Sequence, residues 1–249
     1  MKSVYFISDL HLGAKYLANP RGNELRVVRF LESITPNARE LYLLGDVLDY
    51  WYEYKSVVPR GHVRFLGQLA RMADAGVKIT WLTGNHDVWL FDYLSDEIGL
   101  TVLKRHTQLE IGGKQFFLSH GDDVGYQKPS YRFMRFCFYN RVCQWLYAGI
   151  HPRITSAVAT GWSTQNRVNR KAGKVSDEMK KSARHLLDFA REYASGHPEV
   201  DYFMFGHLHL AQDTPLDDRR RVIFLGDWIS QFTYAVFDGE KLSLERYAE

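Results

Sequence analysis

The sequence predicts an α/β sandwich, and three observations predict it. Short runs rich in aromatic and β-branched residues recur along the chain, and each ends at Gly, Ser or Asp. Segments with helical periodicity separate these runs, and alternating strands and helices are typical of an α/β fold. The chain has 249 residues, of which 45% are hydrophobic, so it can bury a large core.

The predicted elements follow from apolar patterns and their end signals. Six strands are expected in KSVYFIS, ELYLLG, VKITWLTG, KQFFLS, VDYFMFG and RVIFLG. The last two strands, 233–237 and 242–247, are expected to form a hairpin around Asp238 and Gly239. Helices are predicted over 24–34, 62–76 and 176–196, with Gly76 closing the second, Ser176 capping the third and Gly196 ending it.

One segment, about 124–175, interrupts this alternation within what is predicted to be a single domain spanning 1–249. From Val124 to Ser176 it holds nine Lys or Arg and no Asp or Glu, whereas the rest of the chain is net acidic. A local cationic block of this kind indicates an anionic partner. We call this segment the insertion.

Between Ser130 and Ile150 the insertion is apolar on nearly every helical face. Such a helix must be buried, lie in a membrane or wrap around a ligand. A simpler alternative is that these residues pack against the sheet and leave the arginines as a solvated rim. Nucleic acid is a further alternative because basic and aromatic residues alternate. The many aliphatic side chains argue against it, so no nucleic-acid partner is expected.

Polar side chains follow five of the predicted strands. They are Asp9 and His11 in ISDLHLG, Asp46 and Asp49 in LLGDVLD, Asn85, His86 and Asp87 in LTGNHD, His120 in LSHGD, and His207 and His209 in GHLH. In open α/β sheets the ligand site lies outside the carboxyl ends of the strands, so these clusters can converge on one crevice.

This set of donors predicts a metal centre. Imidazoles, carboxylates and an amide oxygen are too many ligands for one tetrahedral zinc and suit first-row ions such as Mn, Fe, Zn or Co. Two ions sharing one carboxylate are therefore expected, an arrangement that favours attack by water on phosphorus. Each motif alone could be a turn, a helix cap or a core histidine, and the conjunction of five motifs favours the metal site.

The five motifs, in this order, resemble those of the calcineurin-like metallophosphoesterase family. The resemblance implies a four-layer αββα sandwich with a helical lid insertion. It implies that Asp9, His11 and His209 bind one metal, that Asn85, His120 and His207 bind the other, and that Asp46 bridges both. His86 would stabilise the transition state or protonate the leaving group, with Asp87 orienting it and Asn85 assisting. A plain spacer role for His86 is the alternative.

The insertion, GDVLDYW and FLGDW are similar to one branch of that family, the UDP-2,3-diacylglucosamine pyrophosphohydrolases of lipid A biosynthesis. The resemblance implies a UDP-linked diacyl glucosamine substrate, UMP as a product, two divalent ions that are most often Mn²⁺, and a lid over the acyl chains. Substrate contacts are then expected at Trp51, Asp123, Tyr126, Ser163, Arg167 and Arg170. His86 departs from the branch, whose best-known members have arginine in that motif.

Two other functions are compatible with these motifs. The rivals are another phosphoesterase of the same fold acting on a soluble ester, and a non-catalytic scaffold. Cys137 and Cys143 lie six residues apart, which suits neither a CxxC motif nor a disulfide framework and favours a reducing compartment. We therefore expect a cytoplasmic protein, one that an anionic membrane surface could hold peripherally on the cytoplasmic face of the inner membrane.

Overall fold

The computed structural model describes residues 2–171 and 177–248. In this part of the chain there are eleven strands: β1 (Ser3–Ile7), β2 (Ala38–Leu44), β3 (Lys78–Leu82), β4 (Thr101–Leu103), β5 (Thr107–Ile111), β6 (Lys114–Ser119), β7 (Val200–Phe205), β8 (Ala211–Pro215), β9 (Arg221–Leu225), β10 (Thr233–Phe237) and β11 (Leu242–Arg246). The helices there are α1 (Pro20–Ile34), α2 (Val63–Asp74), α3 (Tyr93–Ile98), α4 (Pro129–Tyr139), α5 (Arg141–Ala148), α6 (Pro152–Lys171) and α7 (Asp177–Gly196).

The described strands form two sheets. The first has the order β11-β10-β1-β2-β3-β4 and the second the order β5-β6-β7-β9-β8. In the first sheet β1, β2, β3 and β4 run parallel, as do β6, β7 and β9 in the second, while the remaining pairs are antiparallel. The carboxyl ends of β1, β2 and β3 therefore lie along one edge of their sheet, and those of β6 and β7 along one edge of the other.

Three apolar layers hold the sandwich together. Alternate residues of β1 and β2, such as Phe6 and Leu44, face the second sheet, whereas Ile7 and Leu43 face α1, α2 and α3. The outer face of the second sheet packs against α7. The αββα order of layers predicted for the family is confirmed, and both faces of each sheet are buried, as parallel strands require.

Most element types were predicted, and the differences have local causes. Helix α1 begins at Pro20 rather than at residue 24, because the Asn19 side chain accepts a 2.8 Å hydrogen bond from the Gly22 amide and Pro20 suits the first turn. Gly76 follows α2 with a φ of 83°, as its predicted role as a stop requires. The predicted cap Ser176 lies outside the described residues.

The insertion contributes α4, α5 and α6. Phe138, Tyr147 and Ala159 pack on an aromatic cluster of Tyr50, Tyr52 and Trp89. Other apolar side chains of these helices are exposed rather than packed on the sheet, among them Phe133, Phe136, Val142, Trp145, Leu146, Ile154, Val158 and Trp162. Across the described residues, each helix is too short or too polar to cross a membrane.

Candidate metal centre

All five sequence motifs meet at the facing edges of the two sheets. His and Asp side chains there form three groups, each with its potential ligand atoms within 4.8 Å of one another. The groups are Asp9, His11 and His209; His11, Asp46 and His86; and Asp46, His120 and His207. The first and third match the two ligand sets that the family resemblance implies.

The first group lies between β1 and β7. Oδ1 of Asp9 is 3.8 Å from Nε2 of His11 and 3.5 Å from Nε2 of His209. The two imidazoles stack with ring centroids 5.0 Å apart. The other oxygen of Asp9 accepts hydrogen bonds from the Ser8 hydroxyl and the His207 amide, so Oδ1 is the oxygen turned to the histidines.

Asp46 joins the groups. Its Oδ2 lies 3.7 Å from Nε2 of His11 and 3.3 Å from Nε2 of His120, while its Oδ1 accepts a 2.9 Å hydrogen bond from the His86 amide. One carboxylate oxygen therefore faces both histidine sets. This is the position that a bridging ligand needs.

Three imidazoles are held through Nδ1, which turns Nε2 toward the centre. His11 Nδ1 lies 3.2 Å from Oδ1 of Asp49, and His120 Nδ1 lies 2.8 Å from the Leu44 carbonyl oxygen. His209 Nδ1 lies 3.2 Å from Oδ2 of Asp227. Such partners fix the tautomer and ring orientation of metal-binding histidines.

The backbone at the centre is unusual. Among the described residues, seven other than glycine have φ in the left-handed region. Five of them belong to the predicted ligand set: Asp9, His11, Asp46, His207 and His209, with φ between 44° and 67°. Such conformations cost roughly 1–3 kcal/mol each and concentrate at functional sites.

Two glycines allow the strands to approach each other at the centre. A Cβ at Gly84 would overlap Oδ1 of Asp46, and a Cβ at Gly206 would overlap the hydroxyl of Ser8 and crowd Asp9. These are the glycines that precede Asn85 and His207 in the motifs. Only glycine at these two positions leaves room for the carboxylates of Asp46 and Asp9 in their observed positions.

Burial and charge act against each other at the centre. Burial by itself would lower the pKa of His11, but its hydrogen bond to Asp49 and the nearby carboxylates of Asp9 and Asp46 raise it to about 10. Burial would raise the pKa of Asp46, but His120 and His86 hold it well below its usual range. The ionised carboxylates are buried, so they need a nearby positive charge. In the metal-free protein the protonated imidazoles provide it.

Four predicted ligand atoms are buried without a hydrogen-bond partner among the described residues, as expected of atoms that bind a cation. Oδ1 of Asp9, Nε2 of His11, Oδ1 of Asn85 and Nε2 of His120 are buried and make no hydrogen bond. Unpaired polar atoms are costly inside a protein, and these four are offered by residues that meet in one crevice. The residues present therefore fit divalent ions.

His86 borders the same crevice. Its Nε2 lies 3.9 Å from Oδ2 of Asp46, and its Nδ1 lies 2.9 Å from the main-chain oxygen of Asp49. Asp87 makes other contacts: its carboxylate accepts from the amides of Val47 and Gly84 and from the indole of Trp81. Asp49 therefore occupies the place beside His86 that the sequence assigned to Asp87, and Asp87 braces the loop.

Comparison with known proteins agrees with this geometry. The family model described as calcineurin-like phosphoesterase matches residues 2–211. The chain belongs to the calcineurin-like phosphoesterase family. It is thus a metal-dependent hydrolase of the metallophosphoesterase type, and divalent metals are its expected cofactors.

Several relatives of this phosphoesterase share one name. A protein of Porphyromonas gingivalis named UDP-2,3-diacylglucosamine hydrolase is 43% identical over 97% of this chain and 96% of its own length. A protein of that name from Edwardsiella ictaluri is 28% identical over 97% of this chain and 91% of its own length. Among solved structures, a dimetal phosphatase from Danio rerio is 14% identical, with a TM-score of 0.47 and coverage of 98% and 95%.

The six predicted substrate contacts of this phosphoesterase fall in different environments. Ser163 is buried and donates a 2.8 Å hydrogen bond to Oδ1 of Asp49, beside the metal centre. Tyr126 is exposed and its ring lies against His185. The side chains of Arg167 and Arg170 lie outside the described residues.

The other two predicted contacts are packed in the fold. Trp51 has no exposed surface, belongs to the core beneath the helices and donates to Glu53. Asp123 accepts hydrogen bonds from Ser119 and from the amide and ring of His106. Their roles as substrate contacts stay predictions.

Two carboxylates beside the ligands had no predicted role: Asp49 was expected in the crevice without a function, and Asp227 was not placed there. Asp49 holds His11 and His86 as well as Ser163. Asp227, two residues after β9, holds His209 and accepts amides of the turn that follows it. Each carboxylate follows the carboxyl end of a predicted parallel strand, β2 or β9, and this position was the signal available in the sequence.

Proposed function

We propose that this phosphoesterase is a pyrophosphohydrolase that cleaves UDP-2,3-diacylglucosamine to UMP and 2,3-diacylglucosamine 1-phosphate. The observation that carries this proposal is the 43% identity, over nearly the full length of both chains, to a protein named UDP-2,3-diacylglucosamine hydrolase. The match includes the insertion as well as the metal motifs. In the proposed reaction water attacks the phosphorus on the uridine side.

The proposed metal ligands are those of the two groups described above. Asp9, His11 and His209 would hold one ion, Asn85, His120 and His207 the other, and Asp46 both. Mn²⁺ is the proposed ion on the resemblance to the lipid A branch of the family, since mixed imidazole and oxygen ligands also suit Fe, Zn or Co. When bound, such a pair supplies Lewis acidity and a water acidified enough to act as nucleophile at neutral pH.

His86 is the proposed group that acts on the leaving oxygen. Its Nδ1 is engaged with the Asp49 main chain, so its Nε2 is the nitrogen that borders the crevice. From there it can donate a hydrogen bond or a proton to phosphate oxygen as negative charge develops. Asn85, the preceding residue, has an Oδ1 that is buried and makes no hydrogen bond to the described residues, so it can contribute to the same crevice.

The insertion supports a lipid substrate. Its exposed apolar side chains include Trp145 with 74% of its surface accessible, Phe133 with 69% and Val158 with 66%. Each acyl CH₂ buried against such surface contributes about 0.8 kcal/mol. The same insertion reaches the metal centre through Ser163, which donates a hydrogen bond to Asp49 beside the proposed ligand His11.

We also propose that the insertion rests on the anionic cytoplasmic face of the inner membrane, where the substrate resides. Exposed tryptophans among basic residues and no acid suit a lipid interface. Contact with the bilayer and uptake of acyl chains would use the same surface in succession.

The direct test is UMP release from UDP-2,3-diacylglucosamine with and without Mn²⁺, beside a soluble phosphodiester. We expect Mn²⁺-dependent UMP release much faster than hydrolysis of the soluble ester. Hydrolysis of the soluble ester alone would favour the rival phosphoesterase function and reject the lipid substrate. An absence of all hydrolysis in metal-loaded protein would favour the scaffold.

A further inference from the structure

A cationic groove lies beside the metal centre, between the β4–β5 turn and the insertion. Its volume is about 590 Å³, within the usual range of small-molecule sites. Four arginines line it, with no carboxylate among the lining residues: Arg105, Arg132, Arg135 and Arg141.

Within the part of the chain that the structure describes, the positive charges of Arg105, Arg132 and Arg141 are not neutralised by a neighbouring carboxylate, whereas that of Arg135 is. Arg135 is paired with Asp122 and lies over the ring of Tyr139. Where the structure describes side chains, the guanidinium groups of Arg105, Arg132 and Arg141 make no ion pair or hydrogen bond. Guanidinium groups facing a common space without acids favour a phosphate-bearing ligand.

The groove adjoins the crevice of the metal centre. Arg135 and Tyr139 line both the groove and a smaller cavity that reaches Gly84 and Asn85. A ligand in the groove would therefore lie against Arg135 and Tyr139, the two side chains that separate the groove from Asn85. The groove also offers an aromatic ring at Tyr139 and an amide at Gln127, which suit a nucleobase.

We propose that this groove binds the nucleotide half of the substrate, a pyrimidine nucleoside 5′-phosphate. The assignment of that nucleotide rests on the proposed function. The arginines of the groove favour the charged nucleotide, whereas exposed apolar side chains of α5 and α6, such as Trp145 and Val158, suit acyl chains. The proposal thus assigns the two halves of the substrate to different surfaces.

The experiment compares two double variants of the Mn²⁺-loaded protein. R132A/R141A removes two groove arginines, and R60A/R64A removes two exposed arginines outside the groove. Calorimetry measures the Kd of UMP and of inorganic phosphate for each, with metal content and thermal unfolding as checks of the fold. R105A tests the groove from the wall that lies outside the insertion.

We expect R132A/R141A to raise the Kd of UMP about tenfold or more, since each arginine can give charge-assisted hydrogen bonds. The Kd of phosphate should rise as well in R132A/R141A, because the same guanidinium groups attract phosphate, whereas both constants in R60A/R64A should stay as in the wild type. An equal rise in both double variants, or none, would overturn the inference. So would loss of binding to phosphatidylglycerol vesicles with unchanged UMP affinity, which would make the groove a lipid headgroup site.

The KM for UDP-2,3-diacylglucosamine separates this inference from the proposed function. If the wild type cleaves the substrate and R132A/R141A has an unchanged KM, the assignment of the groove to the nucleotide is rejected and the proposed function is retained. A wild type that fails to cleave it, while UMP binding still depends on Arg132 and Arg141, would overturn the function and keep the groove as a nucleotide site.

Discussion

The hydroxyl of Ser163 donates a 2.8 Å hydrogen bond to Oδ1 of Asp49. The same oxygen lies 3.2 Å from Nδ1 of His11, and both side chains of the hydrogen bond are buried. Helix α6 of the insertion is therefore joined to a predicted metal ligand through one carboxylate. A shift of α6 would therefore move Asp49 and change the orientation of the His11 imidazole.

Replacing Ser163 by Ala should weaken the metal centre. The change removes a hydrogen bond to a buried carboxylate, and such bonds contribute about 1.5–3 kcal/mol. We expect the Kd for Mn²⁺ to rise about tenfold. Thr164→Ala is the matched control, because the Thr164 hydroxyl bonds within its own helix to Thr160. Equal Mn²⁺ affinity in the two variants would remove Ser163 from the metal centre.

Asp46→Asn should abolish turnover and metal binding with the fold retained. The substitution keeps the shape of the side chain but removes the charge that faces both histidine groups. Loss of a residue that merely supports a ligand costs about 10–100-fold, so loss of the bridging charge should cost more than about a hundredfold. Bound metal per chain and UMP release measure this. Asp74→Asn, on the exposed side of α2, is the control, and near-normal activity in D46N would reject the two-metal centre.

The sequence predicted most of the fold because its signals are local. Buried strands such as β7 are continuous apolar runs, and α7 shows helical periodicity with Leu186, Ala190 and Ala194 on its buried face. The strands β4, β5 and β8 were missed since β4 has only three residues, β5 and β8 are largely polar, and all three form by pairing at sheet edges. Helix α3 was missed for a similar reason, its six residues being too few for a periodic pattern.

The site could be predicted as a set of residues but not as a set of contacts. Residues that follow parallel strands meet at one edge, which is why the motifs converge. Which carboxylate serves which histidine depends on loop conformation, and so Asp49 rather than Asp87 lies beside His86. The left-handed backbone of Asp9 and Asp46 is likewise imposed by tertiary structure.

Asp227→Asn should lower metal affinity while sparing the turn. Burial opposes ionisation of Asp227, but the hydrogen bond with His209 and the amides of the turn hold its pKa below the usual range. Asn retains an oxygen for those amides but loses the charge that orients His209. We expect Mn²⁺ affinity to fall about 10–100-fold. Raising the Mn²⁺ concentration should restore turnover, and a defect that excess metal leaves unchanged would argue against a positioning role.

Gly84→Ala should disable the centre by crowding. The new Cβ would overlap the carboxylate of Asp46 and so displace the oxygen that faces both histidine groups. We expect loss of bound metal and activity. Gly67→Ala, in α2 where a Cβ meets no atom within 4 Å, should instead stabilise the fold by about 0.5–1 kcal/mol. Full metal content in G84A would show that the loop can yield.

Metal uptake should release protons and strengthen as the pH rises. In the metal-free protein the pKa of His11 is raised to about 10, so its imidazole holds a proton at neutral pH that a metal must displace. The pairing of protonated His11 with Asp49 and Asp9 stabilises the metal-free fold fully below the ordinary pKa of 6.5 and is lost as the pH rises through about 10. Calorimetry of Mn²⁺ binding in buffers of different ionisation enthalpy would count the protons, and an affinity independent of pH between about 6 and 8 would contradict this linkage.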